Sequence, residues 1–155
     1  MDVKPLDQRR VIHLNDYRPP IFVITDIDLR FDLTDDVCQV SAKMQVERRD
    51  DPARSSALRL DGEELELVSV TLQGVRLSPS RYQVLTDALV IPDVPDAFEI
   101  TIETRIYPQH NTALMGLYLS GGNYCTQCEA EGFRRIMYML DRPDVLARYT
   151  TTIAP

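Results

Sequence analysis

The sequence predicts an all-β fold, an antiparallel β-sandwich, and three observations predict it. Apolar and polar residues alternate in several separate stretches, the mark of strands with one buried and one wet face. Turn signals recur at intervals of roughly 8–12 residues, the spacing of sandwiches and open barrels. No amphipathic helical pattern of useful length runs anywhere in the 155 residues.

Residues 1–20 hold Pro5, Pro19 and Pro20 without a sustained period, and are expected to form an arm that lies on the domain comprising residues 21–155. Ile27, Leu29, Phe31 and Leu33 alternate with Asp28, Arg30 and Asp32. Thr34-Asp35-Asp36 then turns the chain, and Val40, Ala42, Met44 and Val46 alternate again, which predicts an antiparallel hairpin. "RRDDPARSS" reads as a polar loop, "ALRL" as a short strand and Asp61-Gly62 as a turn. "LELVSVTLQG" reads as a strand in which Leu65, Leu67, Ser69 and Thr71, with the neighbours of Leu65, mix apolar and polar residues on both faces. "YQVLTDALVIP" predicts a tight hairpin about Thr86-Asp87. "FEITIETRIYP" alternates Phe98, Ile100, Ile102 and Ile106, with a break at Thr104. Gly121-Gly122 is a turn, and the flanks of Cys125 and Cys128 look extended. "DRPDVLARY" could hold one helical turn, with Asp141 as cap, Pro143 early, and Val145 and Leu146 facing inward.

Composition narrows the function classes. Hydrophobic residues make up 44% of the chain, enough for a real core. The formal net charge of −7 repels phosphate and argues against nucleic-acid binding. No apolar run approaches the roughly 20 residues of a membrane-spanning helix. The start, "MDVKPLDQRR", has no apolar core of a secretory signal. The three cysteines cannot all pair, and the expectation is a reducing, cytoplasmic setting.

Candidate chemistry concentrates near the end of the chain. His13 and His110 stand in no zinc-binding spacing, and no G-x-S-x-G elbow or Gly-rich phosphate loop is present. Cys125 and Cys128 form a C-x-x-C, open to a redox reading or to half of a metal site. Acidic neighbours would raise rather than lower a thiol pKa, and no second C-x-x-C completes a four-ligand zinc site. The third reading is two small, half-buried residues. Glu129 and Glu131, two apart in an extended chain, would point to one side. They are either a solvated pair or a receptor for a cation or a peptide amino group.

The stretches "TALMGLYLSGGNYCTQCEAEGFRRIMYMLDRPDVLARYTTTI", "NDYRPPIFVITDIDLRFDL", "LRLDGEELELVSV" and "LVIPDVPDAFEITIE" closely resemble the N-terminal domain of the bacterial aminopeptidase N family, zinc metallopeptidases of the gluzincin class. The match runs from about Asn15 to the last residue and is looser around residues 74–82. The resemblance implies a β-rich, saddle-like domain packed against a thermolysin-like catalytic domain. That second domain would carry H-E-x-x-H, with a downstream Glu as third zinc ligand, and the exopeptidase motif G-A-M-E-N. Neither motif is in this sequence. Zinc is therefore expected in the catalytic domain of a longer protein, with no metal ligand and no catalytic residue in this chain, which alone should be inactive. Peptides are the implied substrates and that catalytic domain the implied partner. Glu129 matches a glutamate that binds the substrate's free α-amino group, and Gln127 a residue lining the pocket for the first side chain. Glu131, Arg134 and Asp141 are expected to shape the loop through ion pairs and a turn. A domain of this kind should also expose an apolar patch near residues 125–134 and the final strand, larger than the few hundred Å² usual for a monomer. The competing reading is a stand-alone β-sandwich interaction module without catalysis. A downstream H-E-x-x-H would separate the two.

Overall fold

The computed structural model describes residues 13–34, 36–49 and 57–155. Alternation builds its centre. In β2 (Cys38–Arg48), β8 (Ala97–Ile106) and the middle of β1 (Phe22–Leu33), every second side chain turns inward, which buries Ile27, Leu29, Val40, Ala42, Met44, Val46, Ile100 and Ile102. Each such aliphatic side chain contributes about 1.5–3 kcal/mol when fully buried. β1 and β2 form the expected antiparallel hairpin, with Thr34 and Val37 closing the turn through a 3.1 Å backbone hydrogen bond.

The other strands are β3 (Leu58–Asp61), β4 (Glu66–Leu72), β5 (Val75–Arg76), β6 (Gln83–Val84), β7 (Ala88–Ile91), β9 (Gly116–Ser120), β10 (Asn123–Gln127) and β11 (Arg148–Ala154). A six-stranded sheet has the order β11-β1-β2-β8-β4-β5, a three-stranded sheet the order β3-β7-β6, and β9 and β10 pair by themselves. One buried cluster draws Ile24, Met44 and Ile100 from the large sheet and Leu58, Leu60, Leu89 and Ile91 from the small one. The all-β expectation holds, and the hairpin about Thr86-Asp87 is present as β6 and β7.

Several expectations need correction. The large sheet is mixed, because β11 runs parallel to β1; residues 128–147 carry the chain across before it returns beside β1. β1 begins at Phe22, ahead of the visible alternation. A bulge between Ile24 and Asp26 shifts the inward parity from Phe22 and Ile24 to Ile27 and Leu29, so the period is hidden. A second bulge, between Leu67 and Ser69, buries Ser69 and Val70 side by side and accounts for the mixed faces of β4. Thr104 does not break β8: it is buried in line with its neighbours. β9 has no counterpart among the expected strands.

No helical turn forms at residues 141–147, and Leu146 is 88% exposed rather than inward. The Asp141 carboxylate turns back instead, its Oδ2 accepting from Arg134. Val145 does pack against the core. Of the expected arm, residues 1–12 lie outside the described residues, as does the segment 50–56 of the polar loop. The remainder touches the loop before β11: the Tyr17 hydroxyl donates to Asp144 at 2.9 Å, and Arg142 Nη2 donates to the Arg18 carbonyl at 3.0 Å.

Candidate functional site

β9 and β10 form a hairpin through Gly121-Gly122, and alternation along β10 sorts its side chains. Tyr124, Thr126 and Cys128 face an apolar groove. Gln127 and Cys125 take the opposite parity. The two cysteines, three apart, thus fall on opposite sides of the extended chain, and both are free thiols. Burial, and then the Asp141 charge, push the Cys128 thiol pKa up, away from the thiolate a redox pair requires. Among the described residues no three of His, Cys, Asp and Glu converge to hold a metal ion. His13 is exposed, and His110 stacks on Tyr107 with ring centroids 6.2 Å apart.

After Gln127 the extended chain ends. Residues 129–132 form a turn closed by the Gly132 N–H donating to the Cys128 carbonyl at 2.9 Å. The Glu129–Ala130 peptide in it is cis. Glu129 and Glu131 are therefore not paired by strand alternation, contrary to expectation. Glu131 leans toward Arg134, its Oε2 3.4 Å from Nη2. Gln127 Nε2 donates to the Glu129 carbonyl at 3.1 Å and pins the turn from the strand side. The Glu129 side chain is exposed, and among the described residues its carboxylate has no hydrogen bond or ion pair. Gly132 is required by space. A Cβ there would lie 2.6 Å from the Gln127 carbonyl oxygen and 2.9 Å from the Cys128 Cα.

The far end of the turn is held by two arginines. Arg134 donates to Asp141 Oδ2 from its backbone N at 3.1 Å and from Nε at 3.0 Å, and from Nη2 to the Asp141 carbonyl at 3.1 Å. Burial opposes the charge on Arg134, but the hydrogen bond to Asp141 and the fields of Asp61, Glu131 and Asp141 outweigh it and raise the pKa. Glu131, Arg134 and Asp141 thus shape the loop as expected. Asp61, Glu63, Glu64 and Arg135 were not anticipated. Asp61 exchanges backbone hydrogen bonds with Met139 at 2.7 and 3.1 Å, and its Oδ2 accepts from the Asp141 N–H at 3.2 Å. Arg135 pairs with Glu63 at 3.3 Å and also with Glu64. A pair 72 residues apart in the chain leaves no spacing signal; only the Asp-Gly turn at residue 61 marked the place.

Beside the turn lies the apolar groove, about 470 Å³, walled by Leu29, Phe31, Phe133, Ile136, Tyr149 and Ile153. Tyr149 and Ile153 on β11 are 44% and 64% exposed, so apolar side chains do reach the surface near residues 125–134 and the final strand.

Fold and turn together define an all-β domain that carries its polar chemistry on a loop at the edge of a sheet. The chain belongs to the peptidase M1 N-terminal domain family, which it matches over residues 17–155. It is similar to aminopeptidase N of Caulobacter vibrioides, 48% identical over 147 residues, and to aminopeptidase N of Escherichia coli, 49% identical over 146 residues. These matches take in 95% and 94% of this chain but only 17% and 16% of those proteins. Among solved structures it is similar to Legionella pneumophila aminopeptidase A in complex with aspartic acid, with a TM-score of 0.83 and 34% identity, covering 90% of this chain and 17% of that one. The family read from the "TQCEAEGFRRI" block is the family found.

Proposed function

We propose that this chain serves as the amine-anchoring N-terminal domain of a zinc-dependent aminopeptidase that releases N-terminal residues from peptides. The observation that carries this is the state of Glu129. Its turn is pinned on one side by Gln127 and on the other by Arg134, while its own carboxylate projects outward with no partner among the described residues. An unpaired carboxylate on a pinned turn suits the α-ammonium of a peptide, and a charge-assisted hydrogen bond of this kind is worth about 1.5–3 kcal/mol. Gln127, beside it, would line the pocket for the first side chain. The described residues of this chain do not fit a zinc ion, so the metal would be held elsewhere in the longer protein. The apolar groove supports a domain-to-domain contact there, since exposed patches of this kind mark interaction surfaces. The odd number of cysteines supports a reducing, cytoplasmic setting.

Steady-state kinetics of full-length Glu129→Gln and Glu131→Gln variants test the reading. The Glu129 change keeps size and removes charge, so kcat/KM should fall about 5- to 150-fold. Much of the loss should lie in KM, because the amine is bound in both the ground and transition states. The Glu131 change should do less. Equal, negligible effects would remove Glu129 from substrate binding.

A further inference from the structure

We infer that Arg135 is a positioning residue for substrate binding, held by the β3–β4 turn so that the neighbouring turn presents Glu129 at a fixed point; this rests on the amine-anchoring reading above. The Glu129 turn is short and exposed, so its carboxylate goes where its two bases go. One base is Gln127, which pairs with Gly116 across the β9–β10 ladder. The other is Arg135, whose N–H donates to the Gly132 carbonyl at 3.2 Å. The two bases meet at Gly116, where a Cβ would lie 2.8 Å from the Arg135 Cβ and 3.3 Å from the Gly132 carbonyl oxygen. Behind this contact the Arg135 side chain is only 13% exposed, and its guanidinium reaches Glu63 and Glu64. Its Nε is buried without an acceptor, so these carboxylates hold it through the Nη groups alone. The same β3–β4 turn also donates a backbone hydrogen bond, from the Glu63 N–H to the Arg134 carbonyl at 3.0 Å. Arg135 therefore joins the turn to a part of the fold distant in sequence, without itself facing the Glu129 carboxylate.

A residue that acts through Glu129 should lose most of its influence once position 129 no longer carries a charge for the amine, and a double-mutant cycle in the full-length enzyme reads this directly. With an aminoacyl anilide as substrate, Arg135→Gln should raise KM about 3- to 10-fold while kcat changes less. In the Glu129→Gln background the same change should raise KM less than about 2-fold. Arg135→Lys, which keeps a charge for the glutamates, should recover part of the loss. Should Arg135→Gln fail to fold, the paired change Glu63→Gln with Glu64→Gln loosens the guanidinium from the other side and should raise KM about 2- to 3-fold, again only when Glu129 is present. An unchanged KM, or an equal rise in both backgrounds, overturns the positioning role and leaves Glu129 in place. A silent Glu129→Gln variant overturns the anchoring reading itself.

Discussion

Asp141 Oδ2 accepts two hydrogen bonds from Arg134, one from the backbone N at 3.1 Å and one from Nε at 3.0 Å. One carboxylate oxygen thereby closes residues 134–141 into a loop that directly follows the turn carrying Glu129. Both side chains are largely withdrawn from water, at 16% and 9% exposure. Truncating one member of such a pair leaves the other charge buried and costs about 3–5 kcal/mol. Asp141→Ala should lower the unfolding free energy of the chain by that order, and Asp141→Asn, which keeps an acceptor, by roughly half as much. Urea denaturation measures both; a loss within about 0.5 kcal/mol for Asp141→Ala would show that the pair contributes nothing.

Two glycines separate steric from conformational demands. A Cβ at Gly132 would meet backbone atoms at 2.6 and 2.9 Å, whereas one at Gly121 would meet nothing within 4 Å, although Gly121 has φ +57°. Gly132→Ala must push the Glu129 turn away from β10, and should cost about 1–3 kcal/mol and raise KM in the full-length enzyme. Gly121→Ala carries only the left-handed backbone penalty of about 1–2 kcal/mol and should leave KM unchanged. Matching KM changes for the two variants would contradict a turn fitted closely against the strand.

The contact between residues 13–20 and the loop before β11 should be acid-sensitive. The hydrogen bond from Arg142, opposed by partial burial and reinforced by Tyr17, lowers the Asp144 pKa to about 2, against about 3.9 for a free aspartate. A carboxylate depressed on folding adds stability above its unfolded pKa, and that stability is lost as pH falls through the folded value. Hydrogen exchange of residues 14–20 should therefore accelerate as pH drops from about 4 to 2, after correction for the intrinsic rate. Asp144→Asn should abolish the pH step. A step that persists in the variant would assign it to another group.

The isolated chain should bind no stoichiometric zinc and release no product from an aminoacyl anilide. The expectation rests on the lack of any converging set of three ligands among the described residues, when zinc sites take three or four protein ligands. Metal analysis and a chelator-controlled assay check it; turnover that a chelator abolishes would overturn it. Thiol titration adds a separate mark. Burial, then the Asp32 charge, push the Cys38 thiol pKa up to about 11, so Cys38 should react last of the three cysteines.

What the sequence determined by itself was local. The faces of β1 beyond the bulge, of β2 and of β8 follow from a period of two, because backbone pleating alone sends successive side chains to opposite sides. The family came from four stretches of residues, and Gln127 and Glu129 as candidates from the block near the chain's end. The tertiary structure decided everything that depends on which segments meet. The bulges at Ile24/Asp26 and Leu67/Ser69 shift parity within a strand, and an alternation count then reads the wrong face. Thr104 is polar by type and buried by place, on an inner strand between Val40 of β2 and Leu67 of β4. β11 lies parallel to β1, and that pairing creates the groove beside the turn. Asp61, Glu63 and Glu64 support the Glu129 loop from across the fold. Such a contact is fixed by the path of the chain through space, and the spacing of residues along the chain holds no trace of it.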